Sequence, residues 1–483
     1  MIFAAHGMRK FRLFAGQTDM TSGNLFAKIA LFSLPLMLTT VMQLLYSTVD
    51  LISVHAWGAG DTSMGAIAAN GSLISLIIIV FNNMSLGSNV AIANAKGADD
   101  PVRASRVLHT ATLFSFITGI FVGFVGFFLS DNLLEMMGTE PQYIPLATQY
   151  LQIYFLGLPA LMVYNYAARN MNAMGDSQTP FLILFISGLI NIAFDFVFVY
   201  FWHMDVAGVG LATVIAEIVS AVMALCFLFL RKSNYVSLHW KQLRIHRDSL
   251  VEIIRIGLPA GLQGFFFSIP NVFVQSKLYT IEPGNLDLSN GAIASGQIES
   301  YVFAGIQAVS SACLAFTAAN HGALRKGNIK KVWLYSASLV FIYTFVCDIV
   351  ILTLYSPMLR LFVSTDAAVE FGRQRLWVVG LSYTLDGLMD TSASALRGMK
   401  KSTYPMIVTL LFCTVTRIVF LTTLFDLDFF HNVGWLYAVF PISWVLSIIF
   451  NFAGLFFFTP RVFRQIDVDL AEKEAKAIAA TNA

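Results

Sequence analysis

The chain has 483 residues, 57% hydrophobic and only 12% charged, with a formal net charge of +2. A soluble domain carries roughly 25% charged residues, so this composition excludes a water-soluble protein and places the chain in lipid. The small net charge decides little by itself, because the placement of charge matters more than its sum.

Residues 1–26 carry Arg9, Lys10 and Arg12 without a compact apolar core and cleavage site behind them, so no cleaved signal peptide is read here. Twelve apolar segments follow, at roughly 27–54, 64–95, 105–130, 144–171, 180–203, 207–230, 250–280, 289–320, 332–356, 372–396, 404–425 and 432–458. Each reaches the ~20 residues that a bilayer crossing needs. With the N-terminus inside, 24 of the 30 Lys and Arg fall in inner loops or helix ends, and only Lys277, Arg360, Arg373 and Arg375 lie near the outer side. That asymmetry predicts cytoplasmic termini and a multi-pass protein of the cytoplasmic membrane. It also accounts for the scattered basic residues, which argues against a nucleic-acid partner.

The longest inner loop, 231–249, divides the chain into an N-terminal bundle (27–230) and a C-terminal bundle (250–458), with a tail at 459–483. The halves repeat at a fixed offset. NAMGDSQTP ends at Pro180 and RGMKKSTYP at Pro405, 225 apart, as are Gly97 and Gly322. A repeat of six crossings returns to its starting side. The predicted fold is therefore all-α, with twelve transmembrane helices in two six-helix bundles related by a pseudo-two-fold axis along the membrane normal. Such a pair of bundles suits alternating access.

Polar groups inside the apolar segments are the candidate functional residues. An Asp at the centre of a membrane helix costs roughly 2.5–3.5 kcal/mol on insertion scales, so its default reading is an ion or proton site. Asn191 and Asp195 stand four apart and share a helix face, as do Tyr46 and Asp50 in the first segment. Both acids fall past the middle of segments that run outward, at similar depth. Thr213 adds a hydroxyl, and Glu217 and Asp348 are further acids within apolar runs. Gln263, Asn271 and Gln275 are placed to line a cleft from segment seven. The second half holds Glu299, Asp386, Asp390 and Arg417. A lone Arg in lipid needs an acidic partner, and Glu299 is the first choice, Asp386 the second.

In their order and spacing, Leu34-Pro35 with Asp50, Gly157-Leu158-Pro159, Met174 to Pro180, Asn191 with Asp195, Gly257-Leu258-Pro259 and Leu396-Arg397-Gly398 before Pro405 resemble a multidrug and toxic compound extrusion (MATE) family transporter, over about residues 25–460. The resemblance implies export of organic cations coupled to Na⁺ or H⁺ entry. It assigns Asp50, Asn191, Asp195 and Thr213 to an N-terminal cation cluster that would hold Na⁺ or a proton. Asp386 matches the acid that some branches carry in segment ten. Tyr46, Gln263, Asn271, Glu299, Asp386, Asp390 and Arg417 are read as substrate or proton pathway. The sequence departs from the family in having no carboxylate at 259–276 and His55-Ala56-Trp57 after the first-segment acid.

No phosphate loop, GxSxG or HExxH occurs, so neither ATP hydrolysis nor an enzyme is predicted. The expected protein is an ion-coupled antiporter without cofactor, acting as a monomer among membrane lipids on small organic cations. The alternative, a flippase for lipid-linked saccharides, calls for a cationic cleft. Seven intramembrane acids against Arg417 and the near-terminal Lys28 disfavour it.

Overall fold

A computed structural model of the chain describes residues 17–57, 61–231, 235 and 237–481. Arg9, Lys10, Arg12 and Lys232, used above for orientation, lie outside the described residues. Helices account for nearly all of the rest, and no strand occurs among the described residues.

In the first half the helices are α1 (Leu25–Trp57), α2 (Asp61–Met84), α3 (Leu86–Gly97), α4 (Pro101–Met136), α5 (Ile144–Ala173), α6 (Gln178–Asp195) and α7 (Asp205–Leu230). The second half holds α8 (Arg247–Ile281), α9 (Leu286–Gly322), α10 (Lys326–Leu359), α11 (Asp366–Val378), α12 (Tyr383–Gly398), α13 (Thr403–Val408), α14 (Thr416–Val419) and α15 (Val433–Thr481). Helix starts are chemically specified. Asp100 accepts the Arg103 N–H at 2.9 Å ahead of α4, with Pro101 in its first turn. Asn285 caps α9 in the same way.

Eleven helices among the described residues are long and apolar enough to cross a membrane. The tenth segment, expected as one apolar run at 372–396, is α11 and α12 joined by a 3₁₀ turn at Gly380–Ser382. Its two helices have only 13 and 16 residues, each short of a bilayer crossing by itself, and they carry Arg373, Arg375, Asp386 and Asp390. The last helix continues past the expected segment end to Thr481 with Pro460 inside it.

The chain repeat is written in the turns. Asp99 and Leu324, 225 apart, both take left-handed φ, at 59° and 58°. Each closes the same pair of hydrogen bonds, Asp99 N–H to Lys96 O with Asp100 N–H to Ala95 O, and Leu324 N–H to His321 O with Arg325 N–H to Asn320 O. Gly175 (φ 82°) and Lys400 (φ 62°) form a second matched pair. Left-handed φ at Leu324 and Lys400 carries a strain that glycine avoids, so the turn geometry outlasts the residue type that suits it best.

Two compact units emerge, one containing Leu38–Gly261, the other Met20–Met37 and Leu262–Ala483. Their limits fall inside α1 and α8. In the first unit, α5 packs between α4 and α7. The start of α8 meets the second segment backbone to backbone. A Cβ on Gly87 would lie 2.2 Å from Ile253 O, and one on Gly257 2.2 Å from Met84 O. Small residues let membrane helices approach this closely. Gly87→Val is therefore expected to destabilise the protein by about 3 kcal/mol or more, read as loss of a monodisperse species in detergent. In the second unit, α9 is the most buried span, with 83% of its apolar window covered. Its Gly, Ala and Ser residues admit α10, α11 and α12 around it.

Candidate functional site

α1 and α6 bring three predicted residues together in the first unit. Asp50 is 9% exposed, Asn191 4% and Asp195 0%. The Asp50 carboxyl lies beside both Asp195 and Asn191. Asp50 Oδ1, both Asp195 oxygens and Asn191 Nδ2 are buried without a hydrogen-bond partner. Two adjacent carboxylates in a water-poor site repel, and a proton or small cation between them removes that cost. Unsatisfied hard oxygens suit Na⁺ equally well.

Local structure explains how the groups are held. Asp195 ends α6, and the chain passes directly into a π-helical turn, Phe196–Phe201. Such turns interrupt the i−4 ladder and recur at functional sites. Tyr46 packs on Gly188, where a Cβ would lie 1.8 Å from the ring. Its hydroxyl donates toward Leu184 O and Phe185 O, each at 3.4 Å, which locks α1 against α6 one turn from Asp50. The Thr213 hydroxyl donates to Val209 O of its own helix at 3.0 Å, which spends its proton and leaves its oxygen lone pairs available. Among the described residues no group of three or more His, Cys, Asp or Glu is placed to hold a metal ion.

Three further side chains, Tyr150, Tyr154 and Glu217, lie close to this cluster or to one another. Tyr150 lies within electrostatic range of Asp50, Asp195 and Glu217, and stacks on Tyr154 with centroids 6.4 Å apart. Glu217 Oε2 is buried without a partner and occupies the space a side chain at Gly157 would fill, 2.2 Å from the Cβ position. The Gly157-Leu158-Pro159 string thereby acquires a reason. Glu217 is legible in the sequence as an acid within an apolar run, whereas Tyr150 and Tyr154 are marked only by standing one turn apart on an apolar helix.

The second unit corrects one pairing. Glu299 does not meet Arg417. It accepts two parallel bonds from Arg375, Nε at 2.9 Å and Nη2 at 2.8 Å, with the Tyr383 hydroxyl at 3.5 Å. α9 and α11 pack side by side, and α11 delivers Arg375, read from the sequence as an outer charge, to the acid. Arg417 is fully buried between two π-helical stretches, Thr409–Val415 and Phe420–Leu424. Its Nε donates to Ser443 Oγ at 2.8 Å, and Phe440, Phe267 and Trp444 surround the guanidinium at 4.5, 5.5 and 5.8 Å. Asp386 lies within electrostatic range of Arg417, yet neither its oxygens nor the two Arg417 Nη atoms have a hydrogen-bond partner. Asp390 accepts from Gln307 Nε2 at 2.6 Å. In segment seven Gln263 is buried with an unpartnered oxygen, whereas Asn271 is exposed.

The MatE family model matches residues 35–197 and 259–423, one stretch in each half. "Probable multidrug resistance protein YpnP" of Bacillus subtilis (strain 168) is 26% identical over 78% of this chain and 85% of its own length. "Multidrug export protein MepA" of Staphylococcus aureus (strain bovine RF122 / ET3-1) is 23% identical over 74% of this chain and 78% of its own. Among solved structures, the "outward-facing conformation of a multidrug resistance MATE family transporter of the MOP superfamily" aligns with a TM-score of 0.83 at 20% identity, covering 93% of this chain and all of that one. This likeness establishes the twelve-helix fold expected from the sequence.

Proposed function

This chain belongs to the MatE family, a family of membrane transporters and not of enzymes, and from that premise we propose that it is a secondary active exporter of drug-like organic cations, driven by entry of Na⁺ or H⁺. The observation that carries this reading is the buried cluster of Asp50, Asn191 and Asp195, in which Asp50 Oδ1, Asn191 Nδ2 and both Asp195 oxygens lack partners inside a lipid-embedded unit. A proton or Na⁺ arriving from outside neutralises the acid pair and lets α1 and α6 pack closely. Release of that ion restores the repulsion and reopens the site. Thr213 contributes a neutral oxygen when its helix shifts. Cargo is drawn by the surplus of buried acids, with aromatic walls such as Tyr150 and Tyr154 suited to flat cations.

One charge crossing 100 mV supplies roughly 2.3 kcal/mol, enough for a modest cargo gradient. The lysine and arginine asymmetry supports cytoplasmic termini, and the repeat supports two six-helix bundles within one working monomer. The names of the relatives, multidrug resistance and multidrug export, support the cargo class.

Substrate efflux from vesicles under separately imposed Na⁺ and H⁺ gradients tests the proposal. Efflux of a fluorescent cation is expected to follow at least one gradient and to stop when that gradient is dissipated. Efflux indifferent to both gradients would overturn it.

A further inference from the structure

A second polar site lies far from the acid cluster along the first unit, where α4 begins, α7 ends and the linker crosses between them. It is a cleft of about 990 Å³. Arg106, Arg231, Lys241 and Arg244 line it together with His239 and His246, and no carboxylate among the described residues does. Among the described residues Arg106, Lys241 and Arg244 have no ion-pair partner; Arg231 holds Asp176 at 3.0 Å. The positive field is felt locally. Partial desolvation, then Arg244 and Arg106, hold the His246 imidazole below its usual range, against the opposing pull of Asp248.

The cleft is built rather than incidental. The His239 N–H donates to His109 Nε2 at 3.0 Å, and the His246 N–H to Thr110 Oγ1 at 3.0 Å. Both bonds fasten the linker onto α4. The rim is apolar: Leu230 is 81% exposed, Val102 60% and Trp240 76%, with the Trp240 ring stacked on Phe229 at 4.4 Å. A basic hollow beside exposed aliphatic and tryptophan side chains, at the end of membrane helices, matches the two ends of one amphipathic molecule.

We propose that this cleft binds the phosphate-bearing headgroup of an anionic phospholipid, with acyl chains lying along Leu230, Val102 and Trp240. A free phosphate ion shares the headgroup chemistry but leaves the apolar rim and most of the volume unused.

The test uses the full chain purified in a zwitterionic detergent, with phosphatidylglycerol, phosphatidylcholine or inorganic phosphate added. Native mass spectrometry reads retention and thermal unfolding reads stabilisation. Phosphatidylglycerol is expected to be retained and to raise the unfolding temperature in a salt-sensitive way, whereas phosphatidylcholine and phosphate do neither. The R106Q/R244Q variant is expected to lose affinity for phosphatidylglycerol about thirtyfold, near tenfold per two-thirds of that charge loss. Equal retention of the two lipids by the wild type overturns the site, a comparison that needs no variant. An equal shift with phosphate alone overturns the lipid assignment. Unchanged retention by a folded R106Q/R244Q variant, or by the exposed-loop variant K241Q, overturns the location.

Discussion

Asp195→Asn is expected to leave a folded protein that no longer couples cargo movement to an ion gradient. At 100 mV, loss of one coupled charge removes roughly 2.3 kcal/mol of driving force, which lowers the sustainable cargo gradient about fiftyfold. The amide keeps the size of the acid, so packing at a fully buried position is preserved. The sign of the stability change separates a functional role from a structural one. If Asp195 serves an ion, removing its charge beside Asp50 relieves repulsion and the unfolding temperature holds or rises. If it serves packing, the unfolding temperature falls. Fluorescent-cation efflux from proteoliposomes, run beside thermal unfolding in detergent, measures both. Efflux by the mutant at the wild-type rate would move coupling elsewhere, with Glu217 and Asp386 the next buried acids to replace.

Glu299→Gln is expected to act in the opposite way, through stability. The Glu299 side chain is 4% exposed and bound at both oxygens by Arg375, itself 18% exposed. Removing one member of a buried pair strands the other charge and costs about 3–5 kcal/mol. Because Arg375 keeps some access to solvent, the lower end of that range is the expectation. Replacing both residues by Met takes away the stranded charge together with its partner, so E299M/R375M should recover most of the loss. Thermal or denaturant unfolding of the three variants measures this. Wild-type stability in Glu299→Gln together with lost efflux would return Glu299 to the transport pathway.

Much of the architecture could be read from residue order. The apolar runs, the offset of 225 between Pro180 and Pro405, and the i, i+4 spacing of Asn191 and Asp195 all depend on local chemistry and helix period. The structure carries the same offset into matched left-handed turns at Asp99 and Leu324. Pairings between segments were less legible. Nothing in the string Arg373-Gln374-Arg375 says that its second arginine reaches Glu299, because that depends on how α11 turns toward α9. The break between α11 and α12 was also hidden, since Gly380 and Ser382 between Val378 and Tyr383 are both common inside membrane helices and do not by themselves mark a turn. The seat that Gly157 makes for Glu217 is likewise a contact across helices.

By itself the sequence determined that this protein lives in lipid, that it repeats, and which acids burial makes costly. Those properties follow from composition and from periods of a few residues. Only tertiary structure decided that Asp50 sits beside Asp195 while Thr213 bonds its own helix, and that Arg417 is ringed by aromatics instead of facing Glu299. Helix rotation and depth set those neighbours, and both are fixed by packing between segments, some adjacent in the chain, as Arg417 and Ser443 are, and some distant, as Asp50 and Asp195 are.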